Sequence, residues 1–140
     1  MDRPLRGQCA CGAVQYQVDG PLGPLINCHC RFCRRAHGAA FATSALVRTA
    51  DLNVLTGKDI LRNYSNAQGS RFFCGRCAGR LFNRPASNSD VTMLLIASLD
   101  EEPTSKPIMH INVESKAPWH EILDDLPQFP GFPIRNSGSE

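Results

Sequence analysis

Three thiols lie within six residues of one another in the stretch Cys28-His29-Cys30-Arg31-Phe32-Cys33. The C-x-C-x-x-C spacing of this triplet (Cys28, Cys30 and Cys33) lets all three sulfur atoms point at one centre, and thiolate sulfur is a common zinc ligand. Three thiolates fill three corners of the tetrahedron that zinc adopts. A fourth corner left to water or substrate distinguishes a catalytic zinc from a structural one. The spacing therefore raises the question of whether this corner is open.

The other four cysteines form two pairs, and together with the triplet they account for all seven thiols of the chain. This four-thiol cluster would join two distant parts of the chain in a closed zinc site made by Cys9, Cys11, Cys74 and Cys77. Structural zinc supplies on the order of 10 kcal/mol of apparent folding free energy in small domains. We therefore predict two zinc ions per chain, a structural one on the four-thiol cluster and a second one on the triplet.

A histidine could close the fourth corner at the triplet. His29 stands between two ligands and is too close in the chain to bend back onto their metal. His37, four residues after Cys33, could reach it across a helical turn, and His110 could come from a distant strand. An open corner and closure by one of these histidines stay open as alternatives.

Length and composition favour a single small domain. The chain has 140 residues, 42% of them hydrophobic, and we expect one zinc-binding domain over residues 1–133 with a disordered tail over residues 134–140. The odd number of cysteines and an N-terminus without an apolar segment argue against a secreted disulfide framework. The longest apolar run, Val91 to Ala97, is too short to span a bilayer. A reducing cytoplasm with zinc-bound thiolates fits these features best.

Charge is distributed unevenly along the chain. Residues 28–84 carry ten basic and two acidic side chains, whereas residues 85–140 carry three basic and nine acidic ones. Arg31, Arg34 and Arg35 beside the triplet could bind carboxylates, because the guanidinium group suits fork-like contacts, or they could balance thiolate charge on a solvated face. Zinc-bound thiolates would offset the formal net charge of +2, so an extended nucleic-acid surface is not expected.

The elements that position these residues are predicted to be strands for the most part. Alternating or apolar stretches predict strands near residues 13–18, 41–47, 53–55, 60–64, 81–82, 91–99 and 108–113. One helical turn is expected after Cys33, stopped by Gly38. Residues 1–8 are interpreted as a lead-in, and residues 117–133 as an ordered coil in which Trp119 is a core anchor or, alternatively, a cleft wall. The pattern indicates a mainly β fold with little helix.

The chain resembles the glutathione-dependent formaldehyde-activating enzyme family, which includes the centromere protein V type. The resemblance rests on residues 7–14, 27–41, 73–77, 110–111 and 115–119. It implies a zinc fold of several coiled antiparallel sheets, shared with the Rab-binding Mss-type chaperones. It also implies a structural zinc on the four-thiol cluster and a catalytic zinc on Cys28, Cys30 and Cys33. One departure is Ala78, where the family commonly has glycine, and Gly79 could take over that turn.

The activity that the resemblance implies is formation or cleavage of the carbon–sulfur bond of S-hydroxymethylglutathione, from glutathione and formaldehyde. Candidate substrate contacts are Arg31, Arg34, Arg35 and Trp119. Two alternatives stay open: a non-catalytic zinc-binding interaction module, and an enzyme of the same fold that acts on another small thiol or carbonyl compound. A zinc deaminase is excluded, because the H-x-E and P-C-x-x-C signatures are absent. No membrane partner is expected, and the sequence does not indicate an oligomeric state.

Overall fold

The computed structural model describes residues 3–133, so the expected disordered tail lies outside the described residues. Within this range the protein has one α-helix, α1 (Arg31–His37), and ten strands, which confirms the mainly β prediction. The strands are β1 Leu5–Gln8, β2 Gln15–Val18, β3 Leu25–Cys28, β4 Ala42–Arg48, β5 Leu52–Thr56, β6 Leu61–Asn66, β7 Gly69–Cys74, β8 Arg80–Pro85, β9 Val91–Leu95 and β10 Pro107–Ile111. No helix among these residues is long and apolar enough to cross a membrane.

Two compact units make up the described chain. Residues 3–24 and 44–105 form the first unit, and residues 25–43 and 106–133 form the second. The four-thiol cluster therefore belongs to the first unit and the triplet to the second.

Antiparallel pairing organises the first unit. β2 lies between β1 and β5, and β4, β9, β8, β7 and β6 follow one another as hydrogen-bonded neighbours. Tyr16, Leu81, Phe82 and Leu94 are buried together in the core of this unit. The interpretation of residues 1–8 as a lead-in is wrong, because Leu5–Gln8 is a strand that pairs with β2. These four residues do not alternate clearly between apolar and polar, so the strand depends on its partner.

The second unit is built around a parallel pair of strands. β3 and β10 run side by side with Asn27 opposite His110 and Cys28 opposite Ile111. Parallel strands need a long connection, and here residues 44–105 form most of it. This pair departs from the expectation of antiparallel sheets alone.

The C-terminal strap, residues 117–133, is ordered without forming a long regular element. It is fastened to β10 by backbone hydrogen bonds, among them His110 N–H to Pro127 O at 2.9 Å and Phe129 N–H to His110 O at 2.9 Å. The prediction of an ordered coil is confirmed. The prediction that Trp119 anchors the core is wrong, since its side chain is 69% exposed.

Helix α1 begins earlier than predicted because a cysteine caps it. Cys30 is the N-cap residue, and its sulfur accepts a hydrogen bond from the Cys33 N–H at 3.2 Å. The helix ends at Gly38, which adopts the left-handed conformation (φ 60°) that glycine tolerates best. The C-x-x-C spacing thus places Cys33 inside the helix.

Candidate metal centres

The four-thiol cluster in the first unit gathers sulfur atoms from two distant chain segments. Cys9 and Cys11 follow β1, while Cys74 ends β7 and Cys77 lies in the turn before β8. All four sulfurs lie within 4.8 Å of one another. The distances from Cys11 to Cys9 and to Cys74 are 3.8 and 3.9 Å. A tetrahedron with metal–sulfur bonds of about 2.3 Å has edges of about 3.8 Å, so the cluster fits one zinc-sized ion.

Backbone N–H groups point at these sulfurs, as thiolate ligands require. Cys9 accepts from Val14 N–H at 3.2 Å, and Cys74 accepts from Arg76 N–H at 3.2 Å. Cys77 accepts from Gly79 N–H at 3.4 Å, and this bond is the main reason that the pKa of Cys77 is lowered to about 6. At Cys77 the donors therefore favour charged sulfur, which is the form that binds a metal. The Ala13 N–H acts in the same direction on Cys11, but burial and the neighbouring sulfurs outweigh it and raise the pKa of Cys11 to about 11.

Ala78 itself makes the turn after Cys77. Its φ is 64°, whereas Gly79 does not have a positive φ. The expectation that Gly79 takes over this turn is therefore wrong. A residue with a side chain is strained in the left-handed region, so the turn between Cys74 and Gly79 must hold Ala78 in this conformation.

The triplet in the second unit also converges. Cys28 ends β3, Cys30 caps α1 and Cys33 lies in its first turn, and the three sulfurs are within 4.8 Å of one another. Contact with the Cys30 sulfur raises the pKa of Cys28, and contact with both other sulfurs raises the pKa of Cys33. Because crowded thiols resist ionisation together, all three can be thiolates only around a cation. The donor chemistry thus fits a metal ion.

No fourth protein ligand completes the triplet within residues 3–133. Neither a histidine nor a carboxylate joins the three sulfurs there. Closure by His37 or by His110 is therefore not supported by this arrangement of residues 3–133. The four-thiol cluster, in contrast, has a full set of four sulfurs.

His110 instead belongs to a hydrogen-bonded series that runs from the buried His29 to the exposed Asp124. His29 Nε2 is 2.9 Å from His110 Nδ1, and His110 Nε2 is 3.0 Å from an Asp124 carboxylate oxygen. A carboxylate only accepts, so His110 Nε2 donates to Asp124. With a neutral His110 ring, its Nδ1 then accepts from His29 Nε2. Burial, with the neighbouring His110, lowers the pKa of His29 to about 4, which keeps its ring neutral. The sequence indicated only that His110 could come from a distant strand.

An arginine cavity of about 240 Å³ lies beside helix α1. Its walls contain Arg31, Arg34, Arg35, Gly38, Ala39 and Trp119. The structure thus brings together all four candidate substrate contacts. Arg34 differs from the other two arginines because its Nη1 donates to the Ser115 carbonyl at 2.9 Å. Arg31 and Arg35 are exposed.

Asn112 is a site residue that the sequence analysis missed. Its side-chain Nδ2 donates to the Cys28 sulfur at 3.3 Å. Asn112 follows Ile111, which is paired with Cys28 across the parallel strands. The sequence signal was slight, since the expected strand simply ran on to Val113.

Comparison with known proteins adds independent evidence on the family of this chain. The sequence model of the family described as glutathione-dependent formaldehyde-activating enzyme matches residues 4–115. A Halomonas elongata protein, provisionally named glutathione-dependent formaldehyde-activating enzyme, is 29% identical over 126 residues, which cover 84% of this chain and 80% of the relative. The crystal structure of a Rhodobacter sphaeroides protein is similar with a TM-score of 0.60 and 28% identity, over 71% of this chain and 91% of that chain. The family match includes all seven cysteines and ends before Trp119.

Proposed function

The chain belongs to the glutathione-dependent formaldehyde-activating enzyme family, and we propose that it is a zinc-dependent carbon–sulfur lyase that forms or cleaves S-(hydroxymethyl)glutathione. In the forming direction, the glutathione sulfur bonds to the formaldehyde carbon. The carbonyl oxygen gains one proton and the thiol loses one, so the reaction consumes no oxidant or reductant. The family match and the Halomonas relative support glutathione-dependent formaldehyde activation.

The proposal gives the two cysteine clusters different roles: a structural zinc on the four-thiol cluster and a catalytic zinc on the triplet. The observation that carries it is the convergence of three thiols with no fourth protein donor in residues 3–133. Zinc bound there would supply an open coordination position and the positive charge that ionises a coordinating thiol. The three cysteines of the triplet would bind this zinc at the N-terminal end of α1.

The arginine cavity is the proposed binding site for the glutathione carboxylates. Arg31 and Arg35 are exposed and able to form charge-assisted hydrogen bonds. Arg34 is tied to Ser115 and so helps to hold the helix near the strap. A larger cavity of about 440 Å³ has Glu121 and Asp124 in its walls, a charge that disfavours carboxylates. Trp119 forms the exposed wall of the arginine cavity.

The proposal includes a reducing, cytoplasmic setting. None of the seven cysteines forms a disulfide. An oxidising compartment would favour disulfides between such close sulfurs and would remove the metal ligands.

Calorimetric titration of the zinc-replete protein with glutathione tests this function. We expect binding that is largely lost with S-methylglutathione, because the capped sulfur can no longer ionise. Arg35→Ala should weaken glutathione binding roughly tenfold, the low end for a charge-assisted contact at an exposed position. Arg48→Ala is the matched control, since Arg48 is also exposed and does not line the cavity.

Three results would contradict the proposal in different ways. Equal affinities for glutathione and S-methylglutathione would show that the free thiol is not needed for binding. Equal losses of glutathione affinity in Arg35→Ala and Arg48→Ala would show that the arginines act only through their overall charge and not as specific contacts. Absence of glutathione binding at millimolar concentration would leave the triplet to another thiol or carbonyl compound.

A further inference from the structure

Asn112 occupies an unusual backbone position directly after β10. Its φ and ψ are 58° and 38°, in the left-handed region that non-glycine residues seldom adopt. Within residues 3–133 only Ala78 is a second non-glycine residue with positive φ. Asparagine tolerates this conformation better than most residues, but it still costs free energy unless the surroundings hold it.

The backbone of Asn112 is fixed on both sides. Its N–H donates to the Gly131 carbonyl at 2.9 Å, and its own carbonyl accepts from Ser115 N–H at 3.0 Å. The first bond ties it to the C-terminal strap and the second to the short turn that follows β10. The side chain therefore leaves the backbone in a set direction.

That direction leads to the triplet. The Asn112 amide donates to the Cys28 sulfur at 3.3 Å. The corresponding donor to Cys30 is a backbone N–H, that of Cys33. Asn112 thus offers Cys28 a donor from the residue that follows β10, and a single substitution can remove it.

We propose that Asn112 is a positioning residue for the triplet: its amide N–H orients the Cys28 thiolate and withdraws electron density from it, and so determines how tightly the triplet holds a metal ion. The inference rests on the metal site of the proposed function, not on glutathione or formaldehyde. Without this donor the thiolate is more electron-rich, which by itself would strengthen the metal–sulfur bond, but it is also less well oriented, and we expect the loss of orientation to dominate. Groups in this position typically change metal affinity by about ten- to a hundredfold.

The test is zinc release to a colorimetric chelator, measured without substrate. The release phase that disappears in Cys30→Ser is assigned to the triplet. Asn112→Gly removes the donor and keeps the backbone conformation accessible, and it should accelerate that phase about ten- to a hundredfold while the other phase stays unchanged. Ala78→Gly is the matched control, because it makes the same left-handed-to-glycine change without removing a side-chain donor.

A second variant and a second readout keep the test independent of folding. Asn112→Ala also removes the donor without adding a possible metal ligand, and Ala78 shows that this chain holds an alanine in the left-handed region; it too should release zinc faster. In cobalt-loaded protein, loss of the donor should shift the sulfur-to-metal charge-transfer band to lower energy, which a purely structural role would not do.

The inference is overturned if triplet release is unchanged or slower in either variant, or if the cobalt band of both matches that of Ala78→Gly. A wild-type protein without a triplet phase would overturn the metal site and this inference together. A failed glutathione titration with normal zinc release would contradict the lyase function alone.

Discussion

At the scale of single residues, Tyr16 shows how the surroundings of a side chain change its pKa. Its side chain is fully buried, and its hydroxyl is 2.7 Å from Ser98 Oγ. Because the Ser98 hydroxyl donates to the Leu95 carbonyl at 2.8 Å, Tyr16 must donate to Ser98. The pKa of Tyr16 is raised to about 12, first by burial and further by Asp100. The neutral phenol is therefore the form that the fold stabilises.

This shift predicts an alkaline loss of stability. The folded-state pKa lies above the unfolded value near 10, so the contribution is complete below pH 10 and is lost as the pH rises through 12. The loss amounts to about 1.4 kcal/mol per pH unit in that window. Denaturant unfolding of zinc-loaded wild type and Tyr16→Phe should show their stability difference shrinking from pH 10 to 12. A difference that does not change with pH would contradict the prediction.

At the scale of elements, the chain His29–His110–Asp124 connects the β3–α1 segment, β10 and the strap. His29 and His110 are 0% and 2% exposed, so each depends on the other for a hydrogen-bond partner. A buried polar group that loses its partner costs about 1–3 kcal/mol. The chain therefore links the segment that carries the triplet to the rest of the second unit.

His110→Leu should lower the free energy of unfolding by about 1–3 kcal/mol, because it leaves the His29 ring without its acceptor. His120→Leu is the control, since His120 stacks near His29 at 6.3 Å between ring centroids and its ring lies outside the hydrogen-bonded chain. Denaturant unfolding of the zinc-loaded proteins measures both. Equal losses would show that ring packing, and not the hydrogen bonds, stabilises this region.

At the scale of the whole molecule, the two metal centres should differ in what their loss does. The four-thiol cluster joins residues of the first unit that are far apart in the chain, and a structural zinc there would contribute on the order of 10 kcal/mol to folding. The triplet draws its ligands from one continuous stretch, so its metal closes no long loop. Stability and activity should therefore separate between the two sites.

Cys74→Ser should unfold or precipitate the protein, whereas Cys30→Ser should keep most of the melting temperature. Elemental analysis should find two zinc ions per chain in wild type and about one in Cys30→Ser. Thermal melting measures the stability of both variants. A lyase assay should show that Cys30→Ser has lost activity. A folded, fully zinc-loaded Cys74→Ser protein would contradict the structural role, and equal melting losses would contradict a functional triplet.

The spacing of residues within short segments was enough to predict both cysteine clusters and most strands. The C-x-C and C-x-x-C intervals bring sulfurs of one chain segment together whatever the rest of the fold does, so the sequence alone indicated both clusters. Most strands also agree with their alternating patterns, because the side-chain period of a strand is a local property. The family resemblance rests on the same cysteine segments, and the family match confirms it.

Tertiary structure decided what depends on distant partners. No local pattern shows that β1 finds an edge on β2, that β3 and β10 pair in parallel, or that His110 bonds to His29 instead of closing the triplet. Trp119 could be a core anchor or a cleft wall from the sequence, because burial depends on which surface packs over a residue, and here its side chain is 69% exposed. Asn112 reaches Cys28 only because pairing across residues far apart in the chain places Ile111 opposite Cys28. Spacing determines which atoms can meet within a segment, whereas register and long-range packing determine which segments meet.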